Sequence, residues 1–189
     1  RRSSGGRTPT SGMAGVCWRA SILPVKAADG PATIQEIADA TRWASHTGSS
    51  VVLVSYAAWP YALPGTSLGR AVERCWRRGA LVVMPAGQEG ATLPYPDDPR
   101  VLVVGAVNQD GTHPPWSNGG AALDLVAPGS SIVSTTPGNT YGYSSGTSMA
   151  APRGSGVAAL VASANRDLTG AQLGSALKAG VRPLSSLAG

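Results

Sequence analysis

Three runs rich in Val and Leu, residues 51–54, 80–84 and 101–104, punctuate the chain, followed by a shorter one at 124–126. Apolar runs of this length without alternation predict strands covered on both faces. A further short strand is expected over 21–26, closed by Asp29-Gly30-Pro31. Between the runs the period changes to that of a helix. Thr33-Ile34-Gln35-Glu36 reads as a capping box, and Ile34, Ile37, Ala38, Thr41 and Ala44 fall on one face of a helix reaching about Thr47, with Gly48 at its stop. Leu68, Ala71, Val72, Cys75 and Trp76 mark a second helix; Arg70, Arg74 and Arg77 point elsewhere, Glu73 is spaced to pair with Arg77, and Gly79 ends the helix. Residues 154–162 are small or apolar nearly all round, which predicts a helix enclosed in a core. Thr169-Gly170-Ala171-Gln172 resembles a second capping box and opens a last helix through Leu173 and Leu177. Strand and helix in alternation imply an α/β fold, a mainly parallel sheet with right-handed crossovers and helices on both faces.

Residues 1–11 are polar, basic and aperiodic, and are expected to be a loop or disordered end; residues 12–189 read as one domain. The low charge content, 25 glycines and absence of Phe suit a close-packed core of small residues. The net charge of +5 comes mostly from scattered arginines, with clusters at Arg1, Arg2 and Arg7 and at Arg70, Arg74, Arg77 and Arg78. No aromatic-interleaved basic stripe accompanies them, so they predict a solvated face and no nucleic-acid partner. No run is long and apolar enough to span a membrane. The chain starts with Arg and shows no signal-peptide pattern, as expected of a processed product or a partial reading frame. Cys17 and Cys75 are compatible with a bridge, although Cys75 lies on the apolar stripe of the second helix, as a buried free thiol would.

Candidate chemistry centres on Ser145-Gly146-Thr147-Ser148-Met149-Ala150-Ala151-Pro152. Gly146 permits a backbone conformation closed to other residues. Thr147 is placed to cap a helix, and Pro152 is tolerable early in one, where amides lack partners anyway. A hydroxyl at the start of a buried helix, among unpaired amides and the positive end of the dipole, stands where a developing oxyanion is stabilised. The loops Ser55-Tyr56-Ala57 and Ala86-Gly87-Gln88 follow predicted strands at their carboxyl ends, where open α/β sheets bind ligands.

The string 146–152, followed by Gly156-Val157-Ala158-Ala159-Leu160, closely resembles the nucleophile-serine signature of the subtilisin-like serine peptidases. Gly12-Met13-Ala14-Gly15-Val16-Cys17-Trp18, Ile22-Leu23-Pro24-Val25-Lys26, Ala86-Gly87-Gln88-Glu89-Gly90, Trp116-Ser117-Asn118-Gly119 and Asp124-Leu125-Val126-Ala127-Pro128-Gly129 fall in the family's order. The resemblance implies a subtilisin-like three-layer fold with its N-terminal part missing, and serine-type endopeptidase activity through an acyl-enzyme on Ser148. Gln88 takes the place of the family's oxyanion-hole asparagine. Ser55, Tyr56 and Ala57 match the edge that binds extended peptide, with Met84, Pro85 and Ala86 along the side-chain pocket. No cofactor is implied. Calcium is common in the family, but no ligand loop is identifiable here; an extracellular location is expected by resemblance.

Three departures qualify the picture. The family's catalytic aspartate and histidine lie upstream of the Gly-Met-Ala-Gly-Val motif, and residues 1–11 contain neither, so these groups are expected on an absent N-terminal segment and the chain alone is expected to be almost inactive. His46 and His113 match no catalytic position; exposed or dipole-compensating roles are expected of them. Arg153 stands where the family has histidine, and must reach solvent or a carboxylate. The alternative is an inactive pseudo-peptidase that at most binds peptides. An α/β-hydrolase is rejected, because no histidine follows Ser148.

Overall fold

The computed structural model describes residues 13–56 and 62–184, together with the backbone of Ser3 and Ser4. Its centre is a four-stranded parallel sheet in the order β3 (Val51–Leu53), β4 (Leu81–Pro85), β5 (Val101–Val107) and β6 (Leu125–Pro128). Pairing is in register from Val51 opposite Leu81 to Val107 opposite Pro128. Two short antiparallel pairs accompany it: β1 (Ser3–Ser4) with β2 (Ser21–Ile22), and the hairpin β7 (Ile132–Thr136) with β8 (Thr140–Ser144). The expected strand over 21–26 is confined to β2.

Helices cover both faces. On one side lie α1 (Ile34–Ala44) and α2 (Ser67–Arg77), on the other α3 (Thr147–Ala164) and α4 (Gly170–Gly180). The apolar strand runs divide their side chains between the two layers by simple alternation. Val82, Met84, Val101 and Val103 pack with Ile37, Leu68, Val72 and Cys75. Leu81, Val83, Leu102 and Val104 pack with Ala150, Ala151, Ala158, Leu173 and Leu177. Every residue of β4 and β5 is buried.

Helix starts follow the local chemistry. Thr33 Oγ1 accepts from the Glu36 amide and Glu36 accepts in return, and Thr169 and Gln172 do the same, so both capping boxes form. Thr66 caps α2 by accepting from the Gly69 amide at 2.9 Å. Along α2, Glu73 pairs with Arg77 at 3.0 Å, and Arg70, Arg74, Arg77 and Arg78 are exposed.

Two expectations about coverage are corrected. Leu53 of β3 is 39% exposed, because β3 pairs with β4 alone among the described residues and has a free edge. Alongside that edge runs a groove of about 850 Å³, walled in part by Val16, Leu23, Val25, Leu53 and Pro152. The helix α3 borders the same groove, and its Val157 and Leu160 are each 43% exposed, so it is enclosed on its sheet-facing side only. None of the described helices is long and apolar enough to cross a membrane.

Both cysteines are free; Cys17 is half-buried, and Cys75 is buried with its Sγ donating to the Thr41 carbonyl. Burial pushes the Cys75 thiol up to about 11. Alkylation with a maleimide at neutral pH is therefore expected to modify Cys17 in the native protein and both residues only after denaturation, as read by intact mass.

The Asp98 carboxylate ties the strand-entry loop to Arg100, whose Nε reaches it at 2.8 Å while the Arg100 amide donates at 3.0 Å. Burial by itself raises this carboxyl, but the bonds from Arg100 outweigh it and hold the group below the ordinary carboxylate range. The stabilisation is complete above the unfolded value of about 3.9 and disappears as pH falls through the lowered folded value. Asp98→Asn is expected to flatten the loss of stability below about pH 4, measured as the urea midpoint against pH.

Candidate active site

Ser148 is the second residue of α3, and backbone bonds deliver it. The Gly146 amide donates to the Gly129 carbonyl at 2.8 Å, and the Gly129 amide donates to Val107 at 3.0 Å, so the turn before α3 hangs from the ends of β5 and β6. Gly146 has φ 155°, and a Cβ there would stand 2.7 Å from Gln88 Oε1. The Gln88 carboxamide thus lies directly over the residue that starts the helix. The positive φ favours glycine there, whereas the Gln88 side chain could swing aside.

The cap differs from expectation. Gly146 is the N-cap, α3 has no side-chain cap bond, and Thr147 is the first helical residue. Thr147 is 1% exposed, and its Oγ1 accepts from the Gly87 amide at 3.1 Å. The hydroxyl expected to cap α3 is spent on the neighbouring loop, and the helix start makes no side-chain cap bond.

That neighbouring loop carries Gln88 and is organised by Asn118. Asn118 Oδ1 accepts from the amides of Glu89 at 3.1 Å and Ala91 at 2.9 Å, and its Nδ2 donates to the Ala86 carbonyl at 3.0 Å and to Glu89 Oε2 at 2.6 Å. The Asn118 amide donates to Gly87. Gly87 has φ 96°, and a Cβ on it would stand 2.5 Å from Asn118 Nδ2. One buried asparagine therefore sets the loop's shape, with Gln88 exposed at its tip. The same site needs residues more than two dozen positions apart, so no local period marks Asn118 or the Thr147–Gly87 bond; only the segment 116–119 drew attention to the former.

The other expected site residues are distributed unevenly. Ser55 follows β3 and its Oγ donates to the Ser148 carbonyl at 3.0 Å. Tyr56, 45% exposed, stands beside it. Ala57 lies outside the described residues. Met84, Pro85 and Ala86 were expected along a side-chain pocket, but all three are buried: Met84 packs under α1 and α2, and both polar groups of Ala86 are bonded, to Val104 and Asn118.

Among the described residues, neither histidine is hydrogen-bonded to Ser148. His46 is exposed just beyond α1, and Asp39 is bonded to Gln35 and Arg42 on the same helix. His113 differs from the expected solvated residue: its Nε2 is buried without a partner. Among the described residues Arg153 finds no carboxylate; half-buried, it donates to the Met149 carbonyl at 3.3 Å. No three His, Cys, Asp or Glu side chains among the described residues gather to hold a metal ion. The arrangement places Ser148 at the start of α3 with the Gln88 loop beside the preceding glycine.

Asn118→Ala leaves the Glu89 and Ala91 amides without their acceptor. It is expected to cost about 1–3 kcal/mol, read as a lowered denaturation midpoint at unchanged slope.

Residues 4–183 match the Subtilase family, Peptidase_S8. The chain is 40% identical over 161 residues to a thermophilic serine proteinase of Bacillus sp. (strain AK1), an alignment covering 83% of this chain and 39% of that protein. It is 38% identical over 171 residues to subtilisin BL of Lederbergia lenta, covering 88% of this chain and 62% of the relative. A protease structure from Pseudoalteromonas arctica PAMC 21717 superposes with a TM-score of 0.79 at 28% identity, over 91% of this chain and 59% of the other. This chain thus spans less than two thirds of each of these relatives. With the signature serine at the start of α3, the parallel sheet behind it and these matches together, the chain belongs to the subtilase family of serine peptidases.

Proposed function

We propose that the chain carries the nucleophile half of a serine endopeptidase site. The observation that carries the reading is the position of Ser148: it stands second in a helix without a side-chain cap, with the Gln88 carboxamide over the preceding glycine. In the proposed reaction the Ser148 hydroxyl attacks a peptide carbonyl and gives its proton to a base. The tetrahedral oxyanion accepts hydrogen bonds from the Ser148 amide and the Gln88 carboxamide. The C–N bond then breaks, the amine leaves with the proton, and water hydrolyses the acyl-serine.

The base and the carboxylate that orients it belong, in this reading, to a segment outside these 189 residues. The absence of a bonded histidine at Ser148 among the described residues supports this, as does the free edge of β3 with its apolar groove, which suits a further strand. Substrate is an extended peptide running past Ser55, Tyr56 and Ala57. Exposed Tyr56 is the bulky group available to contact it. An extracellular place of action accompanies the proposal, and calcium is given no role. The missing base equally favours a second reading, a relative that binds peptides without cleaving them.

A fluorophosphonate probe tests the first reading. The chain alone is expected to label at Ser148 slowly or not at all, and labelling is expected to appear when a segment bearing the aspartate and histidine motifs of a relative is supplied. Ser148→Ala abolishes it. Peptide hydrolysis by the isolated chain at rates ordinary for such enzymes would refute the external base, and no Ser148-dependent labelling under either condition would favour the binding-only reading. In a labelling preparation, Gln88→Ala is expected to slow the reaction on the order of a hundredfold, since the oxyanion loses a positioned donor.

A further inference from the structure

Pro152 creates a vacancy in the hydrogen bonding of α3. It was expected early in the helix, where amides lack partners anyway, but as the sixth residue it lies beyond the four unpaired positions. In a regular α-helix the amide of residue 152 donates to the carbonyl of residue 148. Proline has no amide hydrogen, so the carbonyl of Ser148 itself is left without its partner in the helix.

A side chain from a different layer of the fold fills that place. Ser55 Oγ donates to the Ser148 carbonyl at 3.0 Å, across 93 residues of sequence. Ser55 is well anchored for the task. It directly follows Val54, whose amide donates to Val83 at 2.9 Å and continues the β3–β4 ladder. The helix turn around Pro152 draws other side chains to its carbonyls as well: Arg153 donates to Met149, and Ser155 Oγ donates to Ala151 at 3.1 Å. Of these three, the Ser55 bond is the one that joins this turn to the sheet edge beside the groove.

We propose that Ser55 is a positioning residue for Ser148: its hydroxyl stands in for the amide that Pro152 lacks and ties the serine-bearing turn to the carboxyl end of β3. The tie fixes the peptide plane between Ser148 and Met149, and with it the direction in which the Ser148 side chain leaves the helix. It also joins the strand end that meets substrate to the residue that reacts. The consequence for reactivity rests on the serine-peptidase reading above; the tie itself does not.

The two are separable by experiment. Ser148-Met149 is the single Ser-Met pair in the sequence, so protein labelled with carbonyl-¹³C serine and ¹⁵N methionine gives one carbonyl–amide correlation for this peptide plane. Ser55→Ala is expected to move the Ser148 carbonyl upfield, as loss of a hydrogen bond does, whereas Ser55→Thr keeps it near its original position. In a Pro152→Ala background, where residue 152 regains its amide, Ser55→Ala is expected to leave the resonance almost unmoved. An unmoved resonance in Ser55→Ala with Pro152 present, or an equal shift in both backgrounds, overturns the proposal. If Ser55→Ala does not fold, recovery of a folded spectrum in the double variant supports the tie, and no recovery counts against it. In a preparation that labels at Ser148, Ser55→Ala is expected to slow phosphonylation at least about tenfold, with recovery by Ser55→Thr or by Pro152→Ala. Absence of Ser148-dependent labelling in every variant refutes the peptidase reading, and the carbonyl resonance still decides the tie.

Discussion

The close approach of α3 to the sheet governs the rest of the structure. Ala150, Ala151 and Ala158 are fully buried against Val83, Leu102 and Val104, and a Cβ on Gly154 would come 3.1 Å from Val104 Cγ2. Side chains this small let the helix axis lie low over β5, at the density of a protein interior. The start of the helix is then forced to the carboxyl ends of β5 and β6, where the Gly129 carbonyl receives the Gly146 amide. A Cβ on Gly129 would stand 2.6 Å from that of Ala106, so the same closeness reaches to the turn. Ser148 stands at the mouth of the strand-end loops because of this packing, and a larger residue at Gly154 or Gly129 would lift it away.

At that mouth and at the opposite, amino ends of the strands, buried polar side chains tie loops that backbone pairing alone leaves separate. Asn118 shapes the Gln88 loop from the far end of β5. Asp124, whose side chain is 2% exposed, accepts from the Val103 amide at 2.7 Å and from Lys178 of α4 at 2.8 Å. Burial raises the Asp124 carboxyl in spite of these donors, which is the mark of a group whose desolvation is only partly offset. Lys178 also reaches Asp97, so α4, the loop before β5 and the start of β6 meet at one ammonium. A polar group buried in this way holds a unique arrangement so long as every partner is present.

Legibility from sequence tracked the range of the interaction. Both capping boxes, the amphipathic stripe of α2 with its Glu73–Arg77 pair, and the apolar strands β4 and β5 depend on residues a few positions apart, and all form as read. The hairpin β7–β8 is not legible as strands, although Ile132, Val133 and Tyr141 flank a Pro137-Gly138-Asn139 turn whose Gly and Asn take positive φ. Its strands are almost wholly exposed, so they lack the apolar signal that marked the others. The one-sided cover of β3 and α3 is likewise not legible in the sequence. An apolar run reports that a strand or helix can be buried, whereas what lies against it is a long-range fact. At the site, the serine string and the Gln88 loop were legible as motifs, but Thr147 serving Gly87 and Ser55 serving Ser148 join segments 60 and 93 residues apart.

These long-range bonds resolve a conflict built into the start of α3. A helix end that is to stabilise a negative charge must keep amides free of side-chain caps, and a cap of the usual kind contributes about 1 kcal/mol that this helix forgoes. Pro152 weakens the same turn further by removing one of its internal bonds. A free helix in this condition would fray from its first turn, and a hydroxyl on a frayed turn has no fixed direction. The structure instead stabilises the turn from outside: Gly129 from below, the Gly87 loop through Thr147, and Ser55 through the Ser148 carbonyl. None of these bonds covers the open end of the helix. The turn is held by its neighbours rather than by its own capping, and so order and a helix start without a side-chain cap bond coexist at Ser148.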